Sequence, residues 1–296
     1  MNRYKVVDKI FENIFRLMAI VSASFILLIV GFIFVKGITP FINGDVNFFE
    51  FITGNSYRQD TMTYGIGFII INTILCSSIA LIISFPIAVL TALFICKIAP
   101  KPIAAICETI VELLASVPSV VYGVFASAVI TKVINAIAIK VGAVTYGGSS
   151  MFAVVILLAI MIFPTIASMA ISAIKAVDKD LELASLALGA TKTQTNFKIV
   201  LNCAKSGIFA GAILGLGRAF GEATAVAMVA GNKLYGPTLN PFDITRTLTS
   251  TMLIGLKETT GLDYDIRFSI GLVLLVLIFV SNAFLNHLKN KIGKMA

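Results

Sequence analysis

The sequence predicts an all-α integral membrane protein with six transmembrane helices. Hydrophobic residues occupy 58% of the 296 positions, charged residues occupy 13%, and the mean hydropathy is +0.98. Polar side chains are too scarce to cover a soluble fold of this size. The apolar residues also form six stretches close to or above the roughly 20 residues that a helix needs to cross the hydrocarbon core of a bilayer.

The first apolar stretch is too long for the core of a signal peptide and lacks a small-residue cleavage pattern, so we expect a permanent helix. Pro118 lies inside the third stretch, where we expect it to kink the helix. The predicted spans are residues 15–35, 65–95, 103–130, 151–174, 208–229 and 268–288.

The segment before the first span has Tyr4, Val7, Phe11 and Ile14 at helical spacing among charged residues, which favours a helix lying on the inner membrane surface. An ordinary beginning of the first span fits the pattern equally well. The predicted organisation is an interfacial helix (1–14), the first span with its outer loop (15–64), a core of five spans (65–288) with a cytoplasmic loop (177–205), and a basic cytoplasmic tail (289–296).

The distribution of charge predicts the orientation. If both termini are cytoplasmic, most of the 23 Lys and Arg residues fall on the cytoplasmic side, as the positive-inside rule requires. The predicted outer side, which includes the loops 37–64 and 231–267, carries eight basic and seven acidic residues, and Arg246 and Arg267 are among the basic ones. We therefore expect a multi-pass protein of the cytoplasmic membrane with both termini inside.

Several functional classes are excluded by composition. His287 is the single histidine, which argues against a histidine metal cluster and against a histidine-based catalytic triad. The four cysteines have no spacing typical of metal ligation, so no metal site is expected. The net charge of +8 is scattered between apolar runs, which argues against a nucleic-acid partner. No G-x-x-x-x-G-K-[ST] loop is present, so we expect no cofactor and no ATP bound by this chain.

The segment 178–202 predicts two short amphipathic helices separated by a turn at Gly189. Leu181 and Leu188 share a face before the turn, and Phe197 continues an apolar face after it. Such a hairpin could project as a knob into a groove of a cytoplasmic partner. The alternative is a surface hairpin without a partner.

These residues resemble a known family. The stretch Val-Asp-Lys-Asp-Leu-Glu-Leu-Ala-Ser-Leu-Ala-Leu-Gly-Ala-Thr (177–191) is similar to the ATPase-coupling loop, or EAA loop, of ABC importer permeases. The segment 215–232, which begins Gly-Leu-Gly-Arg-Ala-Phe-Gly-Glu, resembles PstC-type permeases of phosphate importers, as do Glu-Leu-Leu-Ala-Ser-Val-Pro-Ser (112–119) and the run 159–165. The resemblance implies the type I permease fold of ABC importers.

The resemblance also assigns the coupling residues. Aligned on Gly189, the glutamate of the family motif falls at Leu183, and Glu182 is displaced by one residue. The residues expected to meet an ATPase are Glu182, Leu183, Ala184, Gly189, Ala190 and Thr191.

By the same resemblance, the chain is a transport subunit and not an enzyme. The implied activity is import of inorganic phosphate by alternating access, with ATP hydrolysed by a partner. The implied partners are a second homologous permease (PstA-like), two cytoplasmic ATPase subunits (PstB-like), an extracytoplasmic phosphate-binding protein (PstS-like) and membrane lipid.

Two charged residues lie in the fifth predicted span. Arg218 and Glu222 are four residues apart, so a continuous helix would place them on one face. Each would cost about 2.5 to 3.5 kcal/mol at the centre of a bilayer, so we expect them to avoid lipid. With the resemblance, the forked guanidinium of Arg218 is expected to contact phosphate in transit, and Glu222 to orient it or form a gate. The alternative is a buried structural ion pair.

Glycines recur at four-residue intervals around this pair, which predicts close contact between helices. The glycines assigned to helix packing are Gly207, Gly211, Gly215, Gly217 and Gly221.

Three other functions stay open on the sequence alone. A permease for another oxyanion, such as molybdate or sulfate, would have the same architecture. A proton-coupled secondary carrier would also explain intramembrane Arg and Glu residues. A third alternative is a non-transporting subunit that anchors the binding protein.

Overall fold

The computed structural model describes residues 2–293 and is almost entirely helical; Met1 and residues 294–296 of the predicted basic tail lie outside the described residues. The helices are α1 (Asn2–Ile42), α2 (Phe48–Thr53), α3 (Gly67–Leu93), α4 (Lys101–Ser116), α5 (Ser119–Phe125), α6 (Thr131–Lys140), α7 (Met151–Lys175), α8 (Lys179–Ala187), α9 (Lys192–Gln194), α10 (Leu201–Gly221), α11 (Thr224–Val229), α12 (Leu248–Leu253) and α13 (Leu262–Gly293). Strands β1 (Tyr57–Arg58) and β2 (Thr63–Tyr64) form an antiparallel pair, and π-helical turns occupy Phe94–Ile98, Ala126–Ile130 and Thr195–Val200.

Six helical segments within the described residues are long and apolar enough to cross a membrane, which confirms the predicted number of spans. Several of them join an α-helix to an adjacent π-helical turn without interruption. The six segments are Val7–Ile42, Gly67–Ile98, Ser119–Lys140, Met151–Lys175, Lys192–Gly221 and Leu262–Lys291.

The first span is longer than predicted. Helix α1 passes through residues 14 and 15 without a break, so residues 2–14 of the predicted interfacial helix form the amino-terminal part of the same helix. At 1.5 Å per residue, its 41 residues extend about 60 Å. The contact with α13 lies in the second half of α1, where Ser269 donates a 2.7 Å hydrogen bond to the carbonyl of Gly37.

The third span differs from the predicted segment 103–130. The chain leaves helical geometry at Val117, whose φ and ψ are −64° and 127°, and resumes a helix at Ser119. Pro118 explains the break, since proline disfavours helical geometry in the preceding residue and has no N–H to donate. The spanning segment is therefore Ser119–Lys140, and α4 is a separate helix that precedes it.

The centre of the bundle is α7, which packs against α3, α4 and α10. In its most apolar stretch, 61% of the residues are buried, against 0% in α1. Three glycines let α10 approach α7 closely. A Cβ atom at Gly207 would lie 2.5 Å from Cβ of Ala173, and Gly211 and Gly215 face Met169 and Ile166 in the same way.

A second apolar cluster lies among the loops that join the spans. Phe51, Tyr57 and Ile66 pack there with Leu248 of α12 and Ile270 of α13. This packing holds α12 against the amino-terminal end of α13.

Candidate translocation site and coupling loop

The fifth span ends sooner than the sequence predicted. Helix α10 stops at Gly221, and Glu222 has the extended backbone angles −75° and 115°. The prediction of one continuous helix through Arg218 and Glu222 is therefore wrong, because the helix ends at Gly221. The predicted span 208–229 is divided into the end of α10 and the short helix α11.

Arg218 lies in the last turn of α10 and is part-buried. Its Nη1 donates a 2.9 Å hydrogen bond to the hydroxyl of Thr165 on α7. In the described part of the chain, no carboxylate lies within ion-pair distance of Arg218. The structural ion pair with Glu222, the alternative interpretation of the sequence, is absent from this arrangement. The positive charge of Arg218 therefore has no negative partner among the described residues.

The side chain of Glu222 has turned to the beginning of α11. One carboxylate oxygen accepts hydrogen bonds from the backbone N–H of Ala225, at 3.0 Å, and from the hydroxyl of Thr224, at 3.1 Å. A carboxylate at this position satisfies a free N–H group and interacts favourably with the positive end of the short helix. Glu222 therefore stabilises the break in the span.

The break between α4 and α5 lies beside the break between α10 and α11. The hydroxyl of Ser119, the first residue of α5, is 3.1 Å from the hydroxyl of Thr224. Thr249 of α12 donates a 2.7 Å hydrogen bond to the carbonyl of Glu222. Discontinuous helices expose polar backbone groups, which transporters tolerate where the chain lines a cavity or is buried in protein. Hydroxyl groups and Glu222 surround the break here.

One face of α10 beside this break is open. No other atom lies within 4 Å of a Cβ built at Gly217 or Gly221. Among the described residues no helix packs against these two glycines, in contrast to Gly207, Gly211 and Gly215, so their assignment to helix packing stays a prediction. Gly221 instead lines a groove of about 350 Å³ together with Thr249 and Arg267.

Two buried arginines were missed by the sequence analysis, which placed Arg246 and Arg267 in a solvated outer loop. Their exposed fractions are 6% and 3%. Arg246 donates a 3.0 Å hydrogen bond from Nε to Thr251 and stacks over the ring of Tyr57 at 4.9 Å. Burial lowers the pKa of the Arg246 guanidinium and raises the pKa of the Tyr57 phenol.

Arg267 has a structural role at the end of α12. Its Nη1 donates to the carbonyls of Thr251, Met252 and Ile254, which lie at the carboxyl end of that helix. These carbonyls lack intrahelical partners, so a guanidinium is a suitable cap. No motif or helical period in the sequence indicates this contact.

The loop after α7 has the predicted first helix, α8, and the predicted turn. The second helix is not a separate short element as predicted, because α9 continues through the π-helical turn Thr195–Val200 into α10, and the fifth span therefore begins at Lys192. Asp178 caps α8 by accepting a hydrogen bond from the N–H of Asp180, and Thr191 caps α9. Gly189 joins them with a φ of +86°, in the left-handed region that favours glycine. Apart from its neighbours in the chain, no atom of the described residues lies within 4 Å of a Cβ at Gly189, so its surroundings are open.

The loop after α7, the candidate coupling loop, exposes two leucines and turns Glu182 toward the rest of the chain. Leu188 is 90% exposed and Leu183 is 63% exposed. Glu182, the adjacent residue, forms an ion pair with Lys97 in the π-helical turn after α3. The displaced glutamate of the motif therefore faces this chain, and the leucine in its place faces outward. Ala184, Ala190 and Thr191 lie on the same projecting hairpin.

Comparison with known proteins agrees with this architecture. Residues 84–294 match the family model described as "Binding-protein-dependent transport system inner membrane component". The probable ABC transporter permease protein YqgH of Bacillus subtilis is 33% identical, over 88% of this chain and 84% of its own length. The phosphate transport system permease protein PstC 2 of Mycobacterium tuberculosis is 30% identical, over 92% of this chain and 90% of its own.

A solved structure has a similar fold. A chain of a bacterial alginate ABC transporter, crystallised with an alginate-bound periplasmic protein, aligns with a TM-score of 0.66. The alignment covers 99% of both chains at 20% identity, so it supports the fold and says nothing of the substrate here. With six membrane-spanning segments and a family match over most of its length, the chain belongs to the inner membrane components of binding-protein-dependent transport systems, the permeases of ABC importers.

Proposed function

We propose that this permease subunit serves an importer of inorganic phosphate and is the PstC-like member of its permease pair. The observation that carries the proposal is the state of Arg218, a part-buried guanidinium without a carboxylate partner in the described chain. Relatives named as phosphate transport permeases, 28% to 31% identical over most of this chain, support the choice of anion.

Arg218 is suited to a tetrahedral oxyanion. A guanidinium offers several N–H donors in a fixed fork that matches two oxygens of a phosphate. Only Nη1 is engaged with Thr165, so the other donors are available to a ligand. Gly221 lies three residues on, on the same helix face, and opens onto the groove beside Thr249. Phosphate passing along this open face would come within reach of Arg218.

Glu222 has a different role from the one the sequence suggested. Because its carboxylate holds the first turn of α11, it keeps the chain broken next to Arg218. We infer that Glu222 shapes the path and limits its width, with no direct pairing to Arg218. A change in the hydrogen bonds at Thr224 or Ser119 would alter the path at this point, which is how a gate would operate.

The partners follow from the family and the coupling loop. The open face at Gly217 and Gly221 would meet the second homologous permease (PstA-like), and the outward leucines of the loop would dock on two ATPase subunits (PstB-like). An extracytoplasmic phosphate-binding protein (PstS-like) would deliver the anion to the outer loops. This arrangement requires both termini and the Gly189 loop to be cytoplasmic. Lipid would cover the exposed apolar surface, and ATP would be bound by the partner alone.

The substrate can be tested in cells. A strain that lacks this chain should lose high-affinity uptake of labelled phosphate and regain it with the wild-type chain. Excess unlabelled phosphate should compete, whereas excess sulfate or molybdate should not. Competition by sulfate or molybdate at equal concentration would favour the permease of another oxyanion. Complementation by a variant that assembles but cannot transport would favour an anchoring or sensing subunit.

A further inference from the structure

Helix α8 of the coupling loop buries none of its residues and is held by polar contacts on its inner side. Ser185 and Glu182 are three residues apart and therefore lie on one face. The hydroxyl of Ser185 is 2.9 Å from that of Thr195, which belongs to the same loop. Glu182 reaches much further along the sequence, to Lys97 at the end of the second span.

This ion pair is partly shielded from solvent. The side chains of Lys97 and Glu182 are 17% and 20% exposed. A second pair nearby, Lys175 with Glu108, is more open, at 52% and 31%. Charges that are withdrawn from water attract each other more strongly and are less screened by salt. The Lys97–Glu182 pair therefore makes the stiffer connection.

Among the described residues, this pair is also the one polar side-chain contact between α8 and the chain outside its own loop. Among the described residues, no other side-chain hydrogen bond or ion pair joins α8 to a residue outside the loop between α7 and α10. Lys97 lies in the π-helical turn Phe94–Ile98, which continues α3. Because α3 packs along α7 at the centre of the bundle, a force on Lys97 acts directly on the core.

We propose that Lys97 and Glu182 form an internal strut that carries the displacement of α8 to α3. The proposal rests on the proposed function, in which an ATPase docks on this loop. Glu182 then acts as a positioning residue inside the permease, and the outward residues Leu183 and Leu188 meet the partner. The displacement of the glutamate by one position relative to the family motif is what turns it toward Lys97.

The test uses the complete complex in proteoliposomes, with ATP hydrolysis and phosphate uptake measured in the same vesicles. Lys97→Met and Glu182→Gln should each leave the ATPase attached and hydrolysing ATP. We expect the phosphate imported per ATP to fall at least about 5-fold, the lower end of typical coupling between sites. The charge exchange Lys97→Glu with Glu182→Lys should restore more than half of the ratio. Glu108→Gln is the matched control and should leave the ratio unchanged.

Three results would overturn the strut. The first is a wild-type ratio in both single variants, and the second is a failure of the charge exchange to restore the ratio in a complex that purifies intact. The third is loss of the ATPase from the Glu182→Gln complex, which would make Glu182 a contact to the partner. Stimulation of ATP hydrolysis by the binding protein gives a second coupling readout. If wild-type vesicles import no phosphate, the proposed substrate is wrong. The strut is then tested by the stimulation alone: reduced stimulation in both single variants supports it, and wild-type stimulation in both contradicts it.

Discussion

Replacing Arg218 tests whether its charge serves an anion in transit. Arg218→Gln removes the charge and most of the donors but keeps a side chain that can still bond to Thr165. Since no carboxylate in the described chain pairs with Arg218, the substitution strands no buried negative charge. The usual large penalty for breaking one partner of a buried ion pair does not apply. We therefore expect the variant to fold and assemble.

The expected effect on transport is much larger than that on folding. A hydrogen bond to a charged group contributes about 1.5 to 3 kcal/mol. If the path through the bundle depends on one such bond from Arg218 to phosphate, its loss should slow uptake roughly 10- to 150-fold, at 1.36 kcal/mol per factor of ten. Arg218→Lys keeps the charge without the forked donors, so its phosphate uptake should lie between that of Arg218→Gln and that of the wild type.

The assay is uptake of labelled phosphate per amount of assembled complex, with complex measured by copurification of all subunits. Thr165→Val is the matched control, because it removes the acceptor of the observed hydrogen bond and keeps the charge of Arg218. It should retain most of the uptake. An Arg218→Gln complex that is intact and imports phosphate within about threefold of wild type would refute the reasoning.

Three further predictions concern the loop, the topology and the packing. Gly189→Glu adds a side chain and a charge where φ is +86°, so it should abolish copurification of the ATPase while the chain still inserts into the membrane. Gly189→Asn is the control, because asparagine tolerates this φ, and it should retain more ATPase. Equal ATPase binding by the two variants would contradict docking at the turn. On a background without native cysteines, Asn55→Cys should react with an impermeant thiol reagent applied outside intact cells and Thr193→Cys should not, and the reverse pattern would invert the topology. Gly207→Ala should lower the free energy of unfolding by about 1 to 3 kcal/mol, because its Cβ would overlap a neighbouring helix. Gly217→Ala should not lower it, since no atom of another helix lies close to that position. Thermal unfolding of the two purified variants measures the difference, and equal losses of stability would contradict the packing.

The sequence was sufficient for the number of spans, because each carries a long apolar stretch and no tertiary information is needed to recognise it. It was also sufficient for the hairpin around Gly189, where a residue with a positive φ separates two amphipathic patterns. Both signals are local. They depend on composition and period, which a single chain displays without reference to its neighbours.

The breaks at Pro118 and Glu222 were harder to place. Pro118 was expected to kink a span, but the extended geometry of Val117 separates two helices completely. At Glu222 no proline is present, and the helix ends because the carboxylate finds better donors at Thr224 and Ala225. Helical spacing alone could not weigh that competition, so it predicted one continuous face with Arg218.

Contacts between polar side chains that lie far apart in the sequence could not be predicted from it. Lys97 and Glu182 are 85 residues apart, and their meeting depends on how the end of α3 lies against the loop after α7. The burial of Arg246 under Tyr57 is similarly a product of the packing of the outer loops. No period or motif in the sequence indicates either contact.

The central claim, that this chain is the permease of an ATP-driven phosphate importer, is tested most directly by reconstitution. Proteoliposomes would contain this chain, its homologous permease and the ATPase, with ATP inside and the phosphate-loaded binding protein outside. The account predicts uptake of labelled phosphate that requires ATP, the ATPase and the binding protein together. Uptake that persists without the ATPase and follows an imposed proton gradient would contradict it, and would identify a secondary carrier instead.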